Sequence, residues 1–241
     1  MNARPERLDP AQVPRHVAII MDGNRRWAKA RRLPVVEGHR RGIVALREAT
    51  RAARDLGIEV LTVYGFSTEN WRRDESEISL LLDLCVYFAR SELAELTRND
   101  VRVHVIGHYQ ALPRASREAL ERMVAATAGN RGLRLVLAIN YSARAELRDA
   151  AGALAGEVLA GTLDPEAIDE RRLAAQLYTS QFGDPELLIR PGGESRLSNF
   201  LLFQVADAEL YMTDTYWPDF RREHFVAALA AYQARRASAG V

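Results

Sequence analysis

Two residue types are nearly missing from this chain of 241 residues: Cys85 is the only cysteine, and Lys29 is the only lysine among 33 basic residues. A lone cysteine excludes an internal disulfide and a cysteine zinc cluster, and it points to a cytoplasmic setting. A Schiff-base mechanism would have to rest on Lys29, and no GxxxxGK[ST] phosphate loop is present. GxSxG and HExxH are also absent, which argues against serine hydrolases and zincins. No Asp-Asp pair occurs, so a DDxxD magnesium site is missing, and His16, His39, His104, His108 and His224 are scattered singly, which gives a polyhistidine metal site no local support. No apolar run approaches the length of a membrane span. The opening residues 1–15 are polar, contain proline and lack an apolar core, so they read as a disordered lead without a secretion signal. A net charge of +1 provides no global field for nucleic acid.

What is present is an apolar chain, 48% hydrophobic, of a length suited to one α/β domain over residues 16–241. Strand and helix patterns alternate. Val17 to Met21, Glu59 to Phe66, Val101 to Ile106, Leu133 to Ile139 and Glu186 to Ile189 read as strands. Arg40 to Leu56, Ser76 to Leu96, Arg114 to Ala128, Arg144 to Leu159, Asp164 to Leu177 and Arg222 to about Arg236 read as helices. The expected fold is therefore a central, mainly parallel sheet flanked by helices. Within Ser76 to Leu96, SLLLDLCVYFARSEL is apolar over more of its circumference than one core-facing stripe requires. A central helix packed on two sides, or a helix with one face on a cavity, would explain it.

Polar residues cluster where strands end. The run HVAII stops on Asp22-Gly23-Asn24, followed at once by Arg25, Arg26, Lys29, Arg31 and Arg32. Glu59 to Phe66 runs into Ser67-Thr68-Glu69-Asn70-Trp71-Arg72-Arg73, and Glu186 to Ile189 into Arg190-Pro-Gly-Gly-Glu-Ser-Arg196-Leu-Ser198-Asn199. Ligands of open α/β sheets bind beyond the carboxyl ends of the strands, so these clusters should converge on one rim. A carboxylate, helix-start N–H groups and many guanidinium donors suit a diphosphate carried with a divalent metal.

The blocks HVAIIMDGNRRWA, GHRRG, YGFSTENWRR, FGDPELLIRPGGESRLSNFLLFQ and AELYMTDTYWPDF, in this order and spacing, closely resemble the cis-prenyltransferases, the undecaprenyl diphosphate synthase family. The likeness runs from about His16 to Phe220. It implies a homodimeric α/β fold with a hydrophobic tunnel, and Mg²⁺-dependent condensation of isopentenyl diphosphate onto an allylic diphosphate such as farnesyl diphosphate. Peripheral membrane contact for product release is a further expectation, and nucleic acid is not an expected partner.

Carried over position by position, the resemblance makes Asp22 the catalytic magnesium ligand, with Gly23, Asn24, Arg25, Arg26, Trp27, Arg31 and His39 around the allylic diphosphate. Ser67, Thr68, Glu69, Asn70, Trp71 and Arg73 match the segment that closes over substrate, with Asn70 a candidate for the proton-removing step. Ser67 and the leaving diphosphate are the other candidates. Arg190, Arg196 and Ser198 match the isopentenyl diphosphate clamp, and Glu209 a second magnesium carboxylate. The chain departs from the pattern at Arg25, where bacterial members usually carry glycine, and at Val35, where many place an arginine on the allylic diphosphate. Arg31 or Arg32 is the expected replacement. Pro191, Ser142-Ala143 and Phe203 are further departures. Gly65 leaves the tunnel open at a position where a bulky side chain would plug it, which predicts a long undecaprenyl- or decaprenyl-class product. A short-chain or irregular synthase, or a non-catalytic subunit, is the alternative.

Overall fold

The computed structural model describes residues 8–239. Among the described residues, six strands form a single parallel sheet: β1 (His16–Ile20), β2 (Val60–Ser67), β3 (Arg102–Ile106), β4 (Arg134–Tyr141), β5 (Leu187–Pro191) and β6 (Glu209–Thr213), in the order β3-β4-β2-β1-β5-β6. All five residues of β1 are buried, as a central strand with helices on both faces requires. Its alternation divides the core in two. Val17 and Ile19 join the cluster under α2 (Val35–Asp55), α3 (Glu75–Ser91), α5 (Arg114–Thr127) and α8 (Arg222–Ala239). Ala18 and Ile20 face the other cluster, with Phe200, Leu201 and Val205 beside the start of α6 (Ala143–Leu159). Among the described residues, no helix is long and apolar enough to cross a membrane.

Several elements differ from the expectations. The helix expected over Ser76 to Leu96 is two helices, α3 and α4 (Leu93–Arg98), which meet at Glu92. Glu92 is 3% exposed and its carboxylate is bonded to Arg47 of α2, a buried anchor that fixes the junction. The helix expected over Asp164 to Leu177 is a 3₁₀ turn, Pro165–Ala167, followed by the short α7 (Glu170–Ala175). Asp164 caps the first and Asp169 the second, so two successive capping carboxylates restart the chain. Strand β6 has no counterpart in the sequence reading. The helix before β2 begins at Val35 instead of Arg40, and a separate helix α1 (Asn24–Ala30) precedes it.

Of the lead expected to be disordered, residues 1–7 lie outside the described residues. Residues 8–15 are tied down instead. Asp9 donates its backbone N–H to Gln233 Oε1 at 3.1 Å and accepts from Gln233 Nε2 at 2.8 Å, which fastens the segment to α8.

Candidate active site

The turn after β1 is built by close approach. Gly23 sits at φ +104°, and a Cβ there would lie 2.7 Å from Tyr216 Cδ1, so only glycine fits both the backbone and the space. Its N–H donates to Asp22 Oδ1 at 2.6 Å. The outer edge of the sheet closes the turn from behind, with Trp217 N–H donating to the Asp22 carbonyl at 2.9 Å.

Asp22 and Arg190, at the carboxyl ends of neighbouring strands, meet at 2.8 Å through Oδ2 and Nη2. Arg26 approaches the other oxygen at 3.2 Å and also pairs with Glu194 at 3.4 Å. Arg190 is 3% exposed. Its Nη1 donates to Ser198 Oγ at 2.9 Å and to the Arg196 carbonyl, while its Nε has no hydrogen-bond partner among the described residues. A desolvated guanidinium held by one carboxylate, one hydroxyl and one carbonyl retains, through Nε, donor capacity for an anion.

In front of this pair opens a cavity of about 710 Å³. Asp22, Asn24, His39, Ser67, Glu69, Asn70, Arg73, Arg190, Arg196 and Ser198 line it, so ten of the expected site residues from three strand-end clusters and the start of α2 share one space. Apart from Arg144 and Asn199, its remaining wall is mostly apolar: Leu46, Val63, Leu81, Leu82, Cys85, Phe88, Leu137 and Ile139 among others. The broad apolar surface of α3 thus has its explanation, with one side against the protein and another on the cavity. Burial pushes the Cys85 thiol up to about 12, which leaves it a neutral wall residue.

Other expected residues stand apart from the cavity. Trp27 is buried beneath Arg31, whose guanidinium stacks on the indole at 4.4 Å and pairs with Asp219 at 2.8 Å. Arg31 is therefore paired with Asp219 and does not line the cavity. Arg32 is exposed and likewise does not line the cavity. Arg25 is exposed and pairs with Glu77 at 3.5 Å. Thr68 bonds Glu69, and Trp71 bonds Asn140. Glu209 opens β6 opposite Leu187, the first residue of β5, whereas Asp22 follows the last residues of β1. It is paired with Arg235 at 2.9 Å and, within one chain, sits at the other end of the sheet from Asp22. The expected second carboxylate is thus not brought to the first.

Sequence reasoning missed four participants. Glu77 gathers Arg73 at 2.7 Å, Arg25 at 3.5 Å and His39 at 3.7 Å. Asn199, at φ +62°, donates to Glu69 Oε1 at 2.8 Å and to Ser142 Oγ at 2.7 Å. Trp217 and Arg144 complete the lining. A glutamate four residues after Arg73 was the one local signal available; the others depend on tertiary closure. His39 is pushed down to about 4, mainly by burial and then by Arg73, with Glu77 opposing; it is neutral at pH 7.

The family model described as "Putative undecaprenyl diphosphate synthase" matches residues 20–240. An isoprenyl transferase of Geobacillus kaustophilus (strain HTA426) is 51% identical over 223 residues, covering 92% of this chain and 87% of the relative. Among solved structures, lavandulyl diphosphate synthase from Lavandula x intermedia in complex with dimethylallyl diphosphate superposes with a TM-score of 0.91 at 37% identity, over 93% of this chain and 97% of that one. A "probable undecaprenyl diphosphate synthase" from Campylobacter jejuni superposes with a TM-score of 0.78 at 28% identity, over 95% and 99%.

Proposed function

This chain belongs to the undecaprenyl diphosphate synthase family and is a prenyltransferase, and from that premise we propose that it condenses isopentenyl diphosphate onto an allylic diphosphate to build a long cis-polyprenyl diphosphate. The observation that carries the reading is the Asp22–Arg190 pair at the mouth of an apolar cavity, because it joins a diphosphate-compatible rim to space for a hydrocarbon chain.

The donor set suits Mg²⁺ delivered with its substrate. One carboxylate plus phosphate oxygens is a common Mg²⁺ environment, and among the described residues no group of three or more His, Cys, Asp or Glu side chains forms an all-protein cage. Asp22 would hold the ion, and the ion when bound would neutralise charge on the departing diphosphate. Arg26, Arg190 and Arg196 supply guanidinium donors to the phosphates, and neutral His39 offers a further polar contact without adding charge. The rim demands no protein nucleophile, since the alkene attacks the allylic carbon. Asn70 and Ser67 border the same space as candidates for guiding proton loss. The apolar wall shelters the growing chain, each buried methylene contributing about 0.8 kcal/mol.

A second reading, a shorter product, is favoured by Ile139. A Cβ on Gly65 would lie 2.7 Å from Ile139 Cδ1, so the space left by the glycine is already shared by a branched side chain on the cavity wall. Incubation of the purified protein with Mg²⁺, radiolabelled isopentenyl diphosphate and dimethylallyl, geranyl or farnesyl diphosphate, followed by mass analysis, distinguishes the outcomes. Chains of ten or eleven isoprene units support the first reading, products of two to four units the second, and no incorporation with any primer overturns both. A homodimer, a cytoplasmic location and transient membrane contact at product release complete the proposal; sedimentation velocity and vesicle flotation test the assembly and the contact.

A further inference from the structure

Asn140 lies where three strand ends meet. It is 8% exposed and its backbone is left-handed, at φ +49°. Its carbonyl accepts the His108 N–H at 3.1 Å, and its Nδ2 donates to the His108 carbonyl at 2.9 Å, so residue and side chain together clasp the end of β3. Oδ1 then accepts the indole N–H of Trp71 at 2.8 Å. Trp71 belongs to the 3₁₀ turn Thr68–Arg72 that follows β2. It is 40% exposed, so burial does little to hold it, and its ring otherwise meets Phe66 edge-on at 5.3 Å. The same turn carries Asn70, whose Oδ1 accepts the Ser67 N–H at 2.9 Å, and both of these residues line the cavity. Asn140 itself does not line it.

We propose that Asn140 is a positioning residue: by holding the Trp71 indole it fixes the Thr68–Arg72 turn, and with it Asn70 and Ser67, against the substrate cavity. Asparagine suits the task for two reasons. It tolerates a left-handed backbone, and its amide supplies one donor for the His108 carbonyl and one acceptor for the indole. The inference rests on the prenyltransferase reading of the cavity, but the clasp can be measured without turnover.

The test uses Asn140→Gly, which removes the side chain while permitting the positive φ, Trp71→Phe, which removes the donor while keeping the ring contact, and the double variant. Trp27 and Trp217 are buried, so acrylamide quenching of tryptophan emission reports on Trp71. Quenching should rise in Asn140→Gly. Each single variant should raise KM for the diphosphate substrates about five-fold, the effect of one neutral hydrogen bond, with a smaller change in kcat. The double variant should be no worse than either single. Unchanged quenching, fully additive losses, or a lowered Tm with unaltered KM would overturn the proposal. Should Asn140→Gly fail to fold, Trp71→Phe carries the kinetic test alone, with an unchanged KM counting against the clasp. A wild-type protein without turnover would remove the prenyltransferase reading and leave the quenching result to judge the clasp.

Discussion

The two rims of the sheet handle charge in opposite ways. At the amino-terminal rim, Arg15 bonds Glu59 through two nitrogens at 3.0 Å, Arg134 reaches the same carboxylate at 3.2 Å, and Arg235 holds Glu209 at 2.9 Å. At the carboxyl rim, Asn24 Oδ1, His39 Nε2 and Arg190 Nε are buried without hydrogen-bond partners among the described residues. Exposure differs as sharply, from 75% for the Arg15 side chain to 3% for that of Arg190. A buried polar atom without a partner costs about 1–3 kcal/mol, so these three groups carry a penalty that the paired residues of the other rim avoid. Locally completed ion pairs are scaffold, whereas polar groups left incomplete inside a cavity mark where a polar ligand binds.

The hardest test of that contrast is Asp22→Asn. Turnover should fall at least about 10²-fold because the role of the carboxylate lies in the transition state, and Tm should fall moderately because the buried Arg190 guanidinium loses its counter-charge, with the variant remaining folded. Activity that survived with its Mg²⁺ dependence unchanged would break the comparison. Gly65→Leu should shorten the product and Ile139→Ala lengthen it, as read by mass analysis. Each isoprene unit the tunnel gains or loses corresponds to roughly 4 kcal/mol of apolar burial. An unchanged product ladder in both variants would remove these residues from the stopping point.

At the opposite rim the expected effects are on stability. His16 is 2% exposed, with Nδ1 against the Gly183 carbonyl at 2.8 Å and Nε2 against Thr62 Oγ1 at 2.7 Å. Burial pushes it down to about 4. Between that value and its ordinary range near 6.5, the unfolded chain binds more protons than the folded one. This contribution is therefore fully present above about pH 6.5 and is lost as pH falls toward 4, on the order of 3 kcal/mol in total. Urea melts of His16→Gln should show a correspondingly flatter acid dependence than wild type. The smallest change belongs to Glu59→Gln, which breaks an exposed pair: less than about 1 kcal/mol of stability and no change in kcat. A tenfold loss of kcat there would show that the amino-terminal rim is not merely scaffold.

The sequence made the inner strands and their polar ends readable because both signals are local. An apolar run that stops on Asp-Gly-Asn or Arg-Pro-Gly-Gly declares its own boundary. Strand β6 was hidden because ELYMT lies at the sheet edge, mixes charge with half-buried side chains and has no turn signal before Asp214. The break at Glu92 was hidden for another reason: what stops the helix is Arg47, 45 residues away. Among site residues, Asp22, Arg190 and Ser198 stood out as polar residues at strand ends and Glu77 offered only its spacing from Arg73, but Asn199 and Trp217 acquire their roles only when separate elements close. Arg31 shows the converse. It was conspicuous in a basic cluster, yet its stacking on Trp27 and its pairing with Asp219 turn it away from the cavity.

Pairing β1 directly with β5 also sets a timetable. Roughly 170 residues separate His16 from Leu187, so a nascent chain emerging at about 5–20 residues per second leaves one edge of its first strand bare for about 10–30 s. The Asp22 carbonyl waits longer still, for the N–H of Trp217. During that interval an apolar strand and an unfinished cavity face solvent together, so chaperone demand during synthesis should be greatest just before β5 emerges.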